Sequence, residues 1–501
     1  MIHVIANNDL DLLALRAAIE DLPEGFPPVR AHGGVGLGPD SPVPDLDGAR
    51  AVLVRLLKGR AAWEQPLDEL RARCLATGTA LLAFGGEATV DAELTALSTV
   101  PAGIVTEAFA YLSRGGPANL AHLLRFVADT VLLEGFGFDP PTDIPMCGLV
   151  GGGRRPEHAD RPTIAVVTYR ANVLAGNTLP VEQLCDAIER RGANARPVYA
   201  YSLRNDPAAI DLLRGADVVI TTTWAAGGSI PTADEAWSSP LDVLDVPVLQ
   251  AVASTTDTAT WAGSTGGLSP LDVALGVAIP EFDGRIIGPP LSFKEVVDDG
   301  DQLGVTLAAH RAVPDRVERI AGIATRLARL RYLDNADKRV GVVLTAYPTK
   351  RSRIGNAVAL DTPASLLRLL DALATAGYKV AEVPDDSDAF MARLADGLTY
   401  DRPSLSVEQR AMAVGSLPVD DYVEWFATLP AALRTQIEAS WGPAPGTVCV
   451  HDGELVFAGV DLGHVVVAVQ PPRGFGEDPI GTYHAPDLPP PHHYLAFYRW
   501  L

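Results

Sequence analysis

The residues best equipped for chemistry sit close together near the end of the chain, in RGFGEDPIGTYHAPDLPPPHH, residues 473–493. Three of the ten histidines in the chain, His484, His492 and His493, fall there beside Glu477, Asp478, Asp487 and Arg473. Neutral imidazoles bind divalent transition ions or take up a proton near neutral pH, carboxylates can do either, and a guanidinium holds a carboxylate through two parallel hydrogen bonds. Glu477, Asp478, His492 and His493 are therefore the candidate acid–base groups, and His484, His492 and His493 the candidate metal ligands. Arg473 is the candidate anchor for an acidic substrate. Pro489, Pro490 and Pro491 stiffen the approach to the histidine pair, because each fixes its own φ. No His-Glu-x-x-His or Cys-x-x-Cys motif occurs, so spacing alone does not establish a metal site. A proline-rich surface loop with solvated histidines accounts for the same residues.

Short apolar runs must position such a loop. The run at residues 465–470 reads as a buried strand leading straight into it, and loops leaving the C-terminal end of an α/β strand are where ligands usually bind. Three more runs deliver polar residues in the same way. A strand over 163–168 leads to Tyr169, Arg170 and, through Gly176, Asn177. One over 246–252 carries Gln250 and leads to Ser254, Thr255, Thr256 and Asp257. One over 340–346 leads to Lys350, Arg351, Arg353, Gly355 and Asn356. Tyr169, Arg170, Asn177, Gln250, Ser254, Arg353 and Asn356 are the candidate substrate contacts. The first and third of these units repeat one order of signals: strand, tyrosine, Gly-Asn, a proline in the first turn of a helix, and a closing glycine at Gly192 or Gly377. Two such half-units would face a crevice, although common turn chemistry could produce the same order by coincidence.

Strands alternating with helical patterns specify an α/β protein of several Rossmann-like, doubly wound parallel-sheet units plus a helical segment. At 501 residues several domains are expected. The boundaries read as an N-terminal α/β domain over 1–145, a Gly- and Pro-rich linker over 146–162, and a Rossmann-like domain over 163–310. A helix plus a second half-unit follows over 311–380, then a helical segment over 381–446, and finally strands and the site loop over 447–501. The glycine run at 33–38 follows no good strand and opens no helix. It fails the dinucleotide spacing and reads as a flexible loop. The arginines of the helix expected over 314–333 form its wet face, and Tyr422, Trp425 and Phe426 read as core or a docking face.

A net charge of −22 opposes nucleic acid and anionic membrane surfaces as partners. Four widely spaced cysteines suit a reducing compartment. The N-terminus has no secretory pattern and no apolar run long enough to span a bilayer occurs, so a soluble cytoplasmic protein is expected.

Several segments together, AGNTLPVEQLCDAIE, LDVPVLQ, GLSPLDVALGVAIPEFDGRI, YPTKRSRIGNAVALDTPAS, EWFATLPAAL and VVVAVQPPRGFGEDPIGTYHAPDLPPPHHYLAFYRWL, resemble the large subunit of the cobalt chelatase of aerobic cobalamin synthesis. That family also contains the magnesium chelatase large subunit, and the wording is nearer the cobalt branch. The resemblance covers roughly residues 160–501. It implies ATP-dependent insertion of Co2+, the substrate metal, into hydrogenobyrinic acid a,c-diamide. The large subunit would bind corrinoid and metal while two separate ATPase-type subunits use ATP and Mg2+. The chain carries no Gly-x-x-x-x-Gly-Lys-Ser/Thr loop with which to bind ATP itself. Members of the family continue well past the position of Leu501, so partial site architecture and no chelation by this chain alone are expected. A magnesium chelatase-like subunit, a non-catalytic tetrapyrrole-binding or regulatory module, and a glycosyltransferase-like enzyme are the competing readings.

Overall fold

A computed structural model describes the chain except for residues 35, 88, 153–156, 205, 225–237, 299–302, 347–352, 382, 384–385, 402–405, 474–483 and 486. It is an α/β protein whose chain divides into two units, Met1–Arg331 and Tyr332–Leu501. Among the described residues no helix is long and apolar enough to cross a membrane.

The first unit holds two sheets. β1 (Ile2–Ala6), β2 (Val29–Gly33), β3 (Ala51–Leu56) and β4 (Ala80–Gly85) pair in parallel in the order β2-β1-β3-β4. Val52, Leu53, Val54, Leu81 and Leu82 are all buried, so successive residues pointing to opposite faces are covered on both, as a parallel sheet between helices requires. β2 was not expected, because Val-Arg-Ala-His-Gly lacks an apolar run. The start of the glycine stretch is thus the end of a strand and not a loop. Gly33 lies beside Ala6, and a Cβ there would stand 2.2 Å from the Ala6 carbonyl oxygen at a φ of +111°.

The second sheet contains β5 (Cys147–Leu149), β6 (Thr163–Tyr169), β7 (Asn194–Ala200), β8 (Val218–Thr221), β9 (Val248–Ala253), β10 (Ile286–Asp298) and β11 (Leu307–Ala312). Its order is β11-β10-β9-β8-β6-β7-β5, with the inner five strands parallel and the two edge strands antiparallel. The order of winding reverses between β6 and β8, which defines the crevice of a doubly wound sheet. Helices Leu179–Arg190 and Pro314–Leu330 cover one face through Leu184, Ile188, Ile320 and Ala324. Arg319, Arg326 and Arg329 stay exposed, in keeping with a wet face for the long helix. That helix packs within the first unit. Cys147–Leu149, expected in a linker, is an edge strand paired with β7. β10 and β11 were not expected, since Gly288, Pro289 and Pro290 interrupt the apolar pattern of β10. The strand accommodates them through register shifts on either side of Pro290.

In the second unit β12 (Val340–Leu344) pairs in parallel with β17 (Val465–Val469), which pairs antiparallel with β16 (Gly459–Leu462). A smaller antiparallel sheet combines β13 (Gly415–Pro418), β14 (Val450–His451) and β15 (Glu454–Phe457). The helical segment contains Ser387–Asp396, Val407–Ala411, Val419–Ala427 and Ala431–Trp441, with β13 among them. Tyr422 and Phe426 join Phe457 and Phe497 in a core, while Trp425 packs at its margin. The repeated signals have a common backbone meaning. Gly176 and Gly355 take φ of 68° and 76°, Gly192 and Gly377 take 79° and 90°, and Pro180 and Pro363 each open a helix. Asp361 caps the helix Thr362–Thr375 by accepting from the Ala364 amide.

Gly33→Ala should lower unfolding free energy by roughly 2 kcal/mol or more, because a side chain must displace paired backbone at a left-handed φ. Urea denaturation measures this, and an unchanged midpoint would contradict the packing described.

Candidate functional site

At the reversal point of the large sheet, β6 ends on Tyr169 and β8 runs into Thr222, Thr223 and Trp224. The Trp224 amide donates to the Tyr169 hydroxyl oxygen at 3.0 Å and its indole N–H donates to the Ala253 carbonyl at 3.2 Å. The backbone and hydroxyl of Thr222 both donate to Val167. The Thr223 hydroxyl, although 4% exposed, has no partner among the described residues. The edge is therefore polar, ordered and lined by an aromatic pair.

The other expected contacts of this unit serve the scaffold. Arg170 is 6% exposed and donates to the carbonyls of Arg114, Ile144 and Pro145, so it ties down the incoming chain instead of facing a ligand. Asn177 accepts from the His310 amide at 3.0 Å and so holds the free edge of β11. Gln250 is fully buried. Its Oε1 accepts from Thr221 and Arg285, and its amide donates to the Thr223 carbonyl. Arg285 in turn pairs with Asp283 at 2.7 Å, both side chains being inaccessible. Ser254, also fully buried, donates to Asp272 at 2.8 Å. Of the residues expected here, Tyr169 alone is partly exposed.

Sequence reasoning missed a second polar cluster beside Ser254. Lys294 on β10 and His310 on β11 are cross-strand partners, and the Lys294 ammonium pairs with Asp9 at 2.7 Å. Ser292 lies 3.3 Å from His310 Nδ1. Burial, reinforced by the Lys294 charge and opposed by Asp272 and Asp9, pushes His310 down to about 4, so its ring is neutral at physiological pH. Recognising β10 and β11 as a hairpin was the signal that would have found this pair.

In the second unit the loop after β12 folds back on its strand. The Gly355 amide donates to the Thr345 carbonyl at 2.7 Å, and the Thr345 hydroxyl donates to the Asn356 carbonyl. Arg353 and Asn356 are exposed on that turn. After β17, the Gln470 amide donates to Leu344 at 2.7 Å while its side chain donates to the hydroxyls of Tyr494 and Tyr498. Arg473 is half-buried and donates to the Leu488 carbonyl at 3.1 Å, closing the base of the terminal loop. Glu477 and Asp478 lie outside the described residues, as do Lys350 and Arg351.

His492 and His493 do not belong to a solvent-facing loop. They begin the helix His492–Trp500 and are 2% and 1% exposed. Burial raises the pKa of the Tyr422 hydroxyl, so it stays protonated and donates to His492 Nδ1 at 2.9 Å. His492 Nε2 then carries the proton and donates to the Gly442 carbonyl at 2.9 Å. Both nitrogens of His492, expected as a metal ligand, are thus engaged within the protein, by Tyr422 and Gly442. Adjacent helical residues project about 100° apart, and His493 packs instead against the Tyr400 ring at 5.7 Å. His484 is exposed. Among the described residues no three His, Cys, Asp or Glu side chains gather to hold a metal ion.

His492→Ala should therefore destabilise the fold by roughly 2–4 kcal/mol, because it strands the Tyr422 hydroxyl and the Gly442 carbonyl without partners. A melting temperature equal to wild type would show that the imidazole is not an anchor. Unfolded histidine takes up a proton near 6.5, whereas folded His310 does so only at about 4. The unfolded state consequently binds more protons in that window, and stability should fall as pH falls from about 6.5 to about 4. His32, pushed to about 4 first by burial and then by His3 and Arg30, contributes with the same sign. His310→Gln should flatten part of this slope in urea titrations at stepped pH, and an unaltered slope would contradict the assignment.

The family model described as CobN/Magnesium Chelatase matches residues 109–501. The chain is 33% identical to the aerobic cobaltochelatase subunit CobN of Pseudomonas aeruginosa, over 99% of this chain and 41% of that protein. It is 26% identical to the H-type subunit of magnesium chelatase from Rhodobacter capsulatus, over 78% of this chain and 34% of that one. The solved catalytic subunit of cobaltochelatase from Mycobacterium tuberculosis superposes with a TM-score of 0.75 at 41% identity, covering 100% of this chain and 41% of that chain. The chain thus spans about two fifths of the length of the cobaltochelatase relatives it matches. With the family model, the identities and the superposition all in agreement, the chain belongs to the CobN/magnesium chelatase family, as a CobN-type large-subunit chain related to the H-type subunit of magnesium chelatase.

Proposed function

We propose that the chain is the corrinoid-binding portion of the large subunit of an ATP-dependent cobaltochelatase, which inserts Co2+ into hydrogenobyrinic acid a,c-diamide in aerobic cobalamin biosynthesis. The observation that carries this reading is the 41% identity, over the whole of this chain, to a cobaltochelatase catalytic subunit. The polar strand-end groups of each unit support it, Tyr169 in the first and Arg353, Asn356 and Arg473 in the second, each a donor or cation of the kind that a ring bearing carboxylates and amides needs at its rim.

Insertion requires an ion stripped of water, a ring held with its nitrogens toward the metal, and removal of the proton carried by the corrin nitrogens. Glu477, Asp478 and His484 are assigned to proton acceptance and ion transfer. His492 and His493 are assigned to anchoring the helix that follows. Imidazole and carboxylate ligands do not by themselves select cobalt over copper or zinc, so geometry and supply must contribute. ATP and Mg2+ are used by two partner ATPase-type subunits, with this chain in the same cytoplasmic complex. The engaged nitrogens of His492 favour a second reading, a tetrapyrrole-binding module that does not turn over by itself.

Titration of the chain with hydrogenobyrinic acid a,c-diamide should shift the corrinoid absorbance bands. Addition of Co2+ alone should give no insertion, and Co2+ with ATP, Mg2+, both ATPase subunits and the remainder of the large subunit should. An unperturbed spectrum at saturating corrinoid would refute the proposal. A shift without insertion in the complete mixture would establish the binding-only reading.

A further inference from the structure

Beside the end of β9 lies a helix whose polar and apolar faces are exchanged. Its three parts, Pro270–Val273, Ala274–Ala278 and Ile279–Phe282, keep helical φ and ψ through both junctions, and the middle part is a π turn. A helix on the surface of a protein ordinarily sends its apolar stripe inward and its charges to water. Here Asp272, Gly276 and Pro280, with Asp283 just past the helix end, are the buried positions. Leu271, Ala274, Ala278 and Phe282 are exposed at helical spacing, and so is Val273. Leu271 is 55% and Phe282 65% exposed, and Glu281 is the only charged residue among the exposed positions of 270–282.

Buried polar groups hold the helix in this orientation. Asp272 accepts from the Ser254 hydroxyl at 2.8 Å and from the Thr255 amide at 2.9 Å. A Cβ on Gly276 would stand 3.0 Å from a Val252 methyl carbon, so the helix lies close against β9. Past the other end, Asp283 pairs with Arg285, which donates to the Thr221 hydroxyl, the Thr223 carbonyl and Gln250. The helix cannot roll to bury Leu271 without stranding these groups, and a buried charge that loses its partner is costly. The fold therefore keeps the apolar stripe facing outward, and only another surface can take it out of water.

An exposed helix is convex, whereas small molecules are held in concave sites, so the stripe suits a protein groove that receives a helix. Interfaces that form and dissolve are about as apolar as ordinary surface, whereas permanent ones resemble a core cut in half. A stripe with one charge among its exposed positions is of the permanent kind. In both cobaltochelatase relatives the match takes in 41% of the length, so most of each relative lies outside it and is permanently present beside the matched part. We propose that the stripe of Leu271, Ala274 and Ala278 docks into an apolar groove on that remaining part of a CobN-type large subunit. The inference rests on the family relationship and not on corrinoid binding.

The test co-expresses the chain, as wild type or as Leu271→Glu/Ala278→Glu, with a tagged polypeptide carrying the remaining part of a CobN-type large subunit, and measures the affinity of the purified pair. Wild type should co-purify, and the variant should bind at least about tenfold more weakly, because carboxylates enter an apolar contact in place of a leucine and an alanine. In isolation the variant should melt with the wild type, since both positions already face water and glutamate suits a helix. Failure of the wild type to co-purify, or equal affinity in the variant, would overturn the proposal. An early melt of the isolated variant would show the stripe already packed within the chain and overturn it too. Three further results would assign the stripe to another occupant and so overturn it. They are a wild-type dimer in sedimentation that the variant breaks, a corrinoid absorbance shift lost in the variant alone, and an ATPase subunit that no longer binds while the remaining part still does. A wild type that holds the remaining part but binds no corrinoid would support this proposal and remove the corrinoid reading.

Discussion

Parallel pairing is the constraint on which this protein depends. Two parallel strands cannot be joined by a tight turn, so the chain must cross over through a helix or long connection each time. Every inner strand of the large sheet therefore ends at the same edge, and β6 and β8, wound in opposite directions from the centre, leave an opening between their ends. Tyr169 and Thr222 to Trp224 stand at that opening because of this topology and not because of any local motif. The same constraint sets β12 beside β17 in the second unit and so joins Gln470, at the root of the terminal loop, to Leu344.

Around the opening the polar groups are held by one another. Arg285, Asp283, Gln250, Thr221 and the Thr223 carbonyl form one buried set, and Lys294, Asp9, Ser292 and His310 form another. Buried ion pairs of this kind add little net stability, since desolvation cancels much of the attraction, but losing one partner is costly. Their effect is to fix one arrangement of strand ends. A macrocycle needs such rigid donors, because chelation depends on holding the ring in one orientation while an ion and a proton change places.

How much of this was legible in the sequence depended on which physical signal each element carries. Fully buried parallel strands such as Ala51–Leu56 and Thr163–Tyr169 announce themselves as apolar runs, and glycines with positive φ at Gly176, Gly192, Gly355 and Gly377 mark real turns. β10 was hidden by two prolines that a bulged strand tolerates, and with it the Lys294–His310 pair. The histidine pair misled for a different reason. Residue type showed what imidazoles can do, but only packing shows that Tyr422, Gly442 and Tyr400 enclose His492 and His493. Arg170, Asn177, Gln250 and Ser254 were rightly placed at or near strand ends, yet their hydrogen bonds turn inward.

The proposed function places the tetrapyrrole at the strand-end opening of the large sheet. Hydrogen–deuterium exchange of the chain with and without hydrogenobyrinic acid a,c-diamide addresses this directly. The account predicts slowed exchange at the amides of 169–178 and 222–224, with the helix Pro314–Leu330 unaffected. Protection confined to other surfaces, with those two segments exchanging as in the free chain, would contradict it.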